Sequence, residues 1–402
     1  MVRKIPLAWL QLTREKMRLL VALAGIGFAD ILMFVQLGFR DALFKSSVSL
    51  HENMQGDVFL ISSQSTALIA MKSFPQRRLY QTLSFDGVKS VSPVYLGFGL
   101  WKNPENRRTR QLMVIGFNPA AEILNLPQVN NNRDKIQLPD VVLFDEASRP
   151  EFGSVGEWFK QGKTVETEVE SRRVKVQGLF TLGASFGADG NLITSDLNFL
   201  RIFPRRQRGL IDIGVVNLEA GADVSQVIQN MKEYFNLKKN DEKCQDLKNM
   251  NKDCADIQIL SHEEFIEFEK TYWQTSTSIG FIFGLGTLMG FVVGTVIVYQ
   301  ILYTDVADHL AEYATLKAIG YTDLYLLIVV FQEALILSFL GYIPGFSLAS
   351  GLYIFIKGGT NLPIAMTVVR ATVVLLLTIF MCLISGAIAV RKLRAADPAD
   401  IF

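Results

Sequence analysis

Residues 279–303 read IGFIFGLGTLMGFVVGTVIVYQILY, and these 25 positions hold no Asp, Glu, Lys or Arg. A helix rising 1.5 Å per residue crosses a hydrocarbon layer of about 30 Å in about 20 residues, so this stretch is long enough to span a membrane. Three more stretches have the same character: 19–39, 324–346 and 371–390. Together the four contain two charges, Asp30 and Glu333. The rest of the chain carries charge at a density ordinary for water-soluble protein. The sequence therefore describes four membrane helices with a large polar domain between the first and the second.

The bulk figures agree. The chain has 402 residues, half of them hydrophobic, and a mean hydropathy of +0.26. A disordered chain is excluded by that composition. Lys and Arg number 40 against 39 Asp and Glu, a net charge of +1. Such a balance excludes a basic nucleic-acid binder.

Orientation follows from the basic residues beside the spans. Arg3, Lys4, Arg14, Lys16 and Arg18 precede the first span, and Arg391, Lys392 and Arg394 follow the last. The connection between the third and fourth spans has only Lys357. Both termini are thus expected in the cytoplasm. The expected organisation is an interfacial helix over 1–18, spans at 19–39, 274–303, 324–346 and 371–390, a periplasmic α/β domain over 40–273, a cytoplasmic loop over 304–323, an outer connection over 347–370 and a cytoplasmic tail over 391–402. The first span reads as a retained anchor: its apolar run is too long for a signal-peptide core.

Inside the polar domain, Val165, Val169, Val174 and Val176 alternate with charged residues and predict a solvated hairpin. Residues 113–117 and 211–218 read as buried strands, and 222–235 as an amphipathic helix. A second helix is expected over 262–273, running on into the second span. Residues 183–190 form a glycine-rich loop. Pro344, between Gly341 and Gly345, is expected to kink or end the third span. Cys244 and Cys254 can close a loop in an oxidising compartment, with two free thiols as the alternative. Cys382 reads as a small apolar packer within the last span.

Catalytic and metal motifs are lacking. His51, His262 and His309 are far apart, and there is no HExxH or CxxC. Residues 156–164, GEWFKQGKT, imitate a phosphate loop with one residue too many between the glycines, and they lead into the charged hairpin where a helix is needed. No catalytic residue, metal site or cofactor is expected in this chain.

Two features bear on mechanism. Gly280, Gly284, Gly286, Gly290 and Gly294 line the second span and mark a close-packing face, with a partner in the same chain or in a second copy. Asp30 and Glu333 are carboxyls at membrane depth, which suggests function by default. Without further ionisable groups or inverted repeats, a structural role is favoured over a proton relay.

Residues 305–320 read DVADHLAEYATLKAIG, residues 331–335 read FQEAL with Gly341 following, and residues 395–402 read AADPADIF. In this order of elements these segments resemble the FtsX-like, MacB-like permease family of ABC systems. The resemblance implies a type VII exporter architecture: four transmembrane helices and a large mixed α/β periplasmic domain inserted between the first and second. It further implies a coupling helix that docks on a separate ATPase, here carried by Asp308, Leu310, Glu312, Leu316, Lys317 and Gly320. It makes Glu333 a shared structural feature. Residues 183–199, GASFGADGNLITSDLNF, and the chain ending are similar to the DevC-type permeases of cyanobacteria. That likeness implies a homodimer with two copies of the ABC ATPase (which binds ATP and Mg), membrane-fusion (HlyD-like) periplasmic adaptor and TolC-like outer-membrane partners, contact with membrane lipids and glycolipid as one cargo. Gly183, Phe186, Gly187, Asp189 and Asn191 form the candidate adaptor-contact loop, with a tight turn packed within the domain as the alternative. The stripe Ala307, Leu310, Ala314 and Lys317, on an acidic loop, is expected to meet a basic ATPase groove, with a merely solvated acidic loop as the alternative. The competing function is an FtsX-like transducer that regulates a periplasmic cell-wall hydrolase. A sensor receptor would need a larger cytoplasmic part.

Overall fold

A computed structural model describes residues 9, 12, 14–237, 256–360 and 362–395. Cys244, Cys254 and the tail from 396 lie outside the described residues. The chain divides into two units. One is helical (Met1–Ala42, Ser278–Gly359 and Ile364–Phe402), and the other is the α/β unit (Leu43–Thr277 with Thr360–Pro363).

The α/β unit contains a nine-stranded mixed sheet. Its strands are β1 (Val58–Ser62), β3 (Val88–Lys102), β4 (Thr109–Phe117), β5 (Val141–Asp145), β6 (Val165–Val169), β7 (Arg172–Phe180), β8 (Asn191–Ser195), β10 (Ile213–Leu218) and β11 (Ile257–Ser261). Two short strands, β2 (Phe74–Pro75) and β9 (Leu210–Ile211), pair separately. The order is β11-β1-β10-β3-β4-β8-β5-β7-β6, and Trp101 of the long β3 also meets Val169 of β6. The far part of the sheet thus curls round onto itself.

The strand sequences explain the layering. In β1, VFLIS, Val58 and Leu60 enter one core while Phe59 and Ile61 enter the other, as expected of a strand covered on both faces. The β6–β7 hairpin buries its valines and leaves Glu166 opposite Lys175 and Glu168 opposite Arg173. Glu170 and Ser171 take φ of +50° and +64°, the left-handed pair a two-residue hairpin turn requires. The expected hairpin is present, and Lys163 leads into β6. Helices of this unit include α2 (Asp196–Ile202), α3 (Val224–Leu237) and α4 (His262–Thr271).

The helical unit supplies four apolar helices long enough to cross a membrane. They are α1 (Lys16–Asn53, whose first part lies in this unit), α5 (Ser278–Asp308), α7 (Asp323–Thr360) and α8 (Val368–Ala395), with the short α6 (Leu310–Ala318) between α5 and α7. The fold class is thus the one expected: four apolar helices with a mixed α/β domain between the first two.

Several boundaries differ from the sequence reading, because helices do not stop where the apolar run stops. The first helix extends from Lys16 to Asn53, beyond the expected 19–39. The third helix continues through Pro344 to Thr360, so Pro344 does not end it, and most of the expected 347–370 connection is helical. Proline is tolerated inside membrane helices where neighbours and local adjustments satisfy the freed carbonyl. The expected run from residue 262 into the second span is broken. After α4 comes a wide turn over Tyr272–Ser276, and Thr277 is extended before α5 begins at Ser278.

Packing within the helical unit runs through glycines. A Cβ on Gly286 would strike Gln36, one on Gly290 would touch Met33 and Leu32, and one on Gly294 would strike Met381 and Ala29. These three of the five predicted positions, spaced by four, therefore face partners in the same chain. Gly284 faces open space, and Gly280 is half-buried. The sequence reading missed an equivalent contact: Gly27 of α1 meets the backbone of Gly341 and Gly345 on α7. Gly345 leaves room for Asp30, which is fully buried and accepts a hydrogen bond from Thr378 Oγ1. Cys382 is buried in the same bundle.

Candidate functional site

The predicted coupling segment is a two-helix corner. The helix of the second span ends at Asp308, and His309 is a turn residue whose Nδ1 lies 3.0 Å from the Asp305 carbonyl. The new helix, α6, begins at Leu310. The expected stripe from Ala307 through Lys317 is thus interrupted, since Ala307 and Leu310 belong to different helices. The far end of α6 is closed by a left-handed cap. Gly320 has φ +104° and the Tyr321 N–H donates to the Leu316 carbonyl at 3.1 Å. This is the Schellman arrangement, in which a glycine takes the position that a Cβ would strain.

The side chains of this corner divide into two sets. Leu310 and Leu316 pack inward on a small cluster of Val306, Val330 and Val390. They are half-buried and help hold the corner in place. Glu312, Ile319 and Tyr321 point out, with Ile319 71% exposed. Nothing is described of the Lys317 and Ala314 side chains.

The corner is less acidic than its composition suggests. Arg18 Nη1 donates to Asp305 at 3.3 Å and its Nη2 to Asp308, while Arg14 lies 3.9 Å from Glu312. Basic residues from the start of the chain thus neutralise the acidic loop from within. Among the described side chains of the corner, Glu312, with its long and exposed pair, is the carboxylate least neutralised. Among the described residues the corner thus presents Glu312 outward together with the large apolar Ile319 at the helix tip. Local sequence could not show this, because Arg18 and Asp305 are 287 residues apart.

Glu333 is fully buried on α7, and the neighbouring carboxyl is that of Asp305. The Glu333 oxygens receive no hydrogen bond among the described residues. Asp30 and Glu333 are not brought together. Asp30 belongs to the Thr378 and Gly345 contact, and Glu333 to the Asp305 contact.

The glycine-rich loop of the α/β unit is organised from beneath by Asp145. Its carboxylate accepts from the backbone N–H groups of Ala147, Leu182 and Gly183, at 3.0, 3.1 and 2.9 Å, and from Asn191 Nδ2 at 2.7 Å. Burial pushes the Asp145 carboxyl up, against the pull of these four donors. Asp189 is held by Arg110 and Arg149 at 2.6 and 2.8 Å. Gly187 lies so close to Ile69 that a Cβ would come to 2.5 Å. Of the five candidate adaptor-contact residues, Asp189, Asn191 and Gly187 are thus engaged inside the domain. Gly183 takes φ +96° at the turn. Phe186 is the exposed one, 46% accessible and edge-on to Trp273 at 5.9 Å. The signal that could have found Asp145 is its place at the end of the apolar strand Val141–Asp145.

A second buried polar group escaped the sequence reading. Glu269 on α4 accepts from the Leu68 N–H and from Trp273 Nε1, both at 2.7 Å, with His51 Nε2 3.7 Å away. Burial pushes its carboxyl up to about 7. His262 Nε2 lies 2.9 Å from the His51 carbonyl. Among the described residues no group of three His, Cys, Asp or Glu is placed to hold a metal ion.

Residues 284–398 match the family described as FtsX-like permease C-terminal. No curated protein matches the chain. Solved domains that resemble it at low identity include the following three. The periplasmic region of MacB from Actinobacillus actinomycetemcomitans is 12% identical, with a TM-score of 0.33, over 52% of this chain and 91% of that one. The extracellular domain of the noncanonic ABC-type transporter YknZ from Gram-positive bacteria is 13% identical with the same TM-score, over 52% of this chain and all of that one. A domain of a putative permease from Porphyromonas gingivalis is 13% identical with a TM-score of 0.29, over 52% and 89%.

Proposed function

With residues 284–398 similar to the FtsX-like permease C-terminal family, we propose that this chain is the non-catalytic permease subunit of an ABC-type export system. The observation that carries the reading is the capped corner helix α6, set between two apolar helices and presenting Glu312 and Ile319 outward, inside the segment that matches the family. A separate ATPase docks there, binding ATP and Mg itself. Its closure is passed through the spans to the α/β domain.

The finer parts of the reading rest on the sequence resemblance. The chain works as a homodimer with two ATPase copies, both termini in the cytoplasm and the α/β domain in the periplasm. A membrane-fusion adaptor and a TolC-like outer-membrane duct complete a tripartite path for cargo, glycolipid being one class.

The test is co-purification from nanodiscs with a candidate ABC ATPase. Leu316 is half-buried in the corner, so the informative variant changes only outward residues: Glu312→Lys with Ile319→Asp. The wild type should retain the ATPase and the variant should lose at least nine-tenths of it at an unchanged unfolding midpoint. If the variant retains the ATPase, α6 is not the docking element.

A further inference from the structure

The α/β unit has an open groove of about 640 Å³ whose lining combines Leu197, Leu200 and Pro204 with Arg201, Arg206 and Arg208. Its volume lies in the range of small-molecule sites, roughly 300–1,000 Å³. No Asp or Glu lines it among the described residues. In a chain of net charge +1 this is a local concentration of positive charge.

The three arginines are not equivalent. Arg206 is fixed. Its Nη1 donates to the Leu96 carbonyl at 3.1 Å and its Nη2 to Ser73 Oγ at 3.1 Å and Asp212 at 2.5 Å, while the guanidinium lies over Tyr95 and Phe199. Its charge is balanced by Asp212. Among the described residues Arg201 has only a long contact, 3.8 Å, to Asp140, whose two oxygens already accept from Arg172 at 2.6 and 2.9 Å. Arg208 is exposed and has no ion pair among the described residues. The groove thus retains two guanidinium groups without a full counter-charge. Beside them stands Leu197, which is 70% exposed. Leu197, Leu200 and Arg201 are one turn apart on α2, while Asn198, Phe199 and Ile202 take its buried face. An apolar wall next to guanidinium groups that lack a full counter-charge matches an anion with a tail, and guanidinium forks bind phosphate and carboxylate bidentately.

We propose that this groove binds an anionic amphiphile, with a phosphate or carboxylate head on Arg201 and Arg208 and its chain along Leu197, Leu200 and Pro204. The site belongs to the α/β unit alone and does not rest on the permease reading.

The experiment uses the full chain in phosphatidylcholine nanodiscs, photolabelled with decyl phosphate carrying a terminal diazirine and mapped by peptide mass spectrometry. Labelling should fall on peptides spanning residues 197–208. Unlabelled decyl phosphate should suppress it, whereas decyl glucoside and inorganic phosphate should each need at least ten-fold more. Arg201→Glu with Arg208→Glu should reduce labelling at least ten-fold. Arg205→Glu, a charge change on the exposed neighbour outside the lining, should change it less than two-fold. Leu197→Asn should weaken decyl phosphate and leave inorganic phosphate unaffected.

Four outcomes overturn the proposal. Labelling that survives the double variant places the ligand elsewhere. An equal loss in Arg205→Glu shows bulk electrostatics. Equal competition by inorganic phosphate or by decyl glucoside shows that head or tail alone is read. Displacement by poly-glutamate but not by decyl phosphate makes the groove a docking site for acidic protein segments.

Discussion

Asp145 and Glu269 are buried carboxyls, each organising a different part of the α/β unit. Asp145 satisfies four donors: the Leu182 and Gly183 N–H groups at one end of the glycine-rich loop, the Asn191 amide at the other, and the Ala147 N–H just after its own strand. Asp145→Ala would leave those donors buried without acceptors, a cost of about 3 kcal/mol, and should lower the unfolding midpoint and raise hydrogen exchange at 182–183. Asp145→Asn, which keeps one acceptor oxygen, should recover part of the loss. Glu269, with its carboxyl raised to about 7, holds a proton more tightly folded than unfolded. Its contribution is complete below the unfolded value of about 4.5 and is lost as pH rises through about 7. Stability should therefore fall across that window by roughly 3 kcal/mol from this group. Glu269→Gln, which stays neutral, should flatten the slope. A scan of unfolding midpoint from pH 5 to 8 on both proteins checks the sign, and an unchanged slope would sink it.

At the scale of the element, the corner helix α6 depends on its ends. Gly320 has φ +104°, and nothing lies within 4 Å of where a Cβ would stand, so the barrier to substitution is backbone strain and not crowding. Gly320→Ala should cost about 1 kcal/mol locally and reduce ATPase retention without abolishing it. A variant that binds the ATPase as well as the wild type would show that the cap geometry does not matter for docking. The acidic composition of this segment was legible in the sequence, but its neutralisation was not. Which carboxylates remain available depends on Arg14 and Arg18, which meet the loop only in the fold. The inward turn of Leu310 and Leu316 was equally hidden, since a nine-residue helix with apolar residues on more than one face does not declare which face is covered.

Across the whole molecule, two arrangements invite measurement. Arg370 is buried and donates to Asp41 at 2.8 Å and to the Ala365 carbonyl at 2.7 Å, with Tyr353 beneath it at 5.5 Å. This joins the first, third and fourth apolar helices. Arg370→Ala should destabilise the helical unit by about 2 kcal/mol, read as a lower midpoint in nanodiscs, while Arg370→Lys should restore only part of it because the fork is lost. Orientation is tested by single cysteines in a background lacking Cys244, Cys254 and Cys382. Lys163→Cys should react with an impermeant maleimide in intact spheroplasts and Thr315→Cys only after permeabilisation. The reverse pattern would invert the topology.

The sequence by itself determined the four apolar helices, the inserted α/β domain and the valine hairpin. These follow from hydropathy runs and alternation, which are properties of neighbouring residues. Helix ends were less legible, because a helix can outlast its apolar stretch when polar residues continue the same backbone pattern, as α1 and α7 do. Only the tertiary structure decided which glycines pack against which helix, that Asp30 and Glu333 serve separate contacts, and that Asp145 holds the glycine-rich loop. It alone gathered Arg201, Arg206 and Arg208 beside Leu197 in one groove. Those results rest on contacts between residues distant in the chain, and a linear pattern carries no information about which of them will meet.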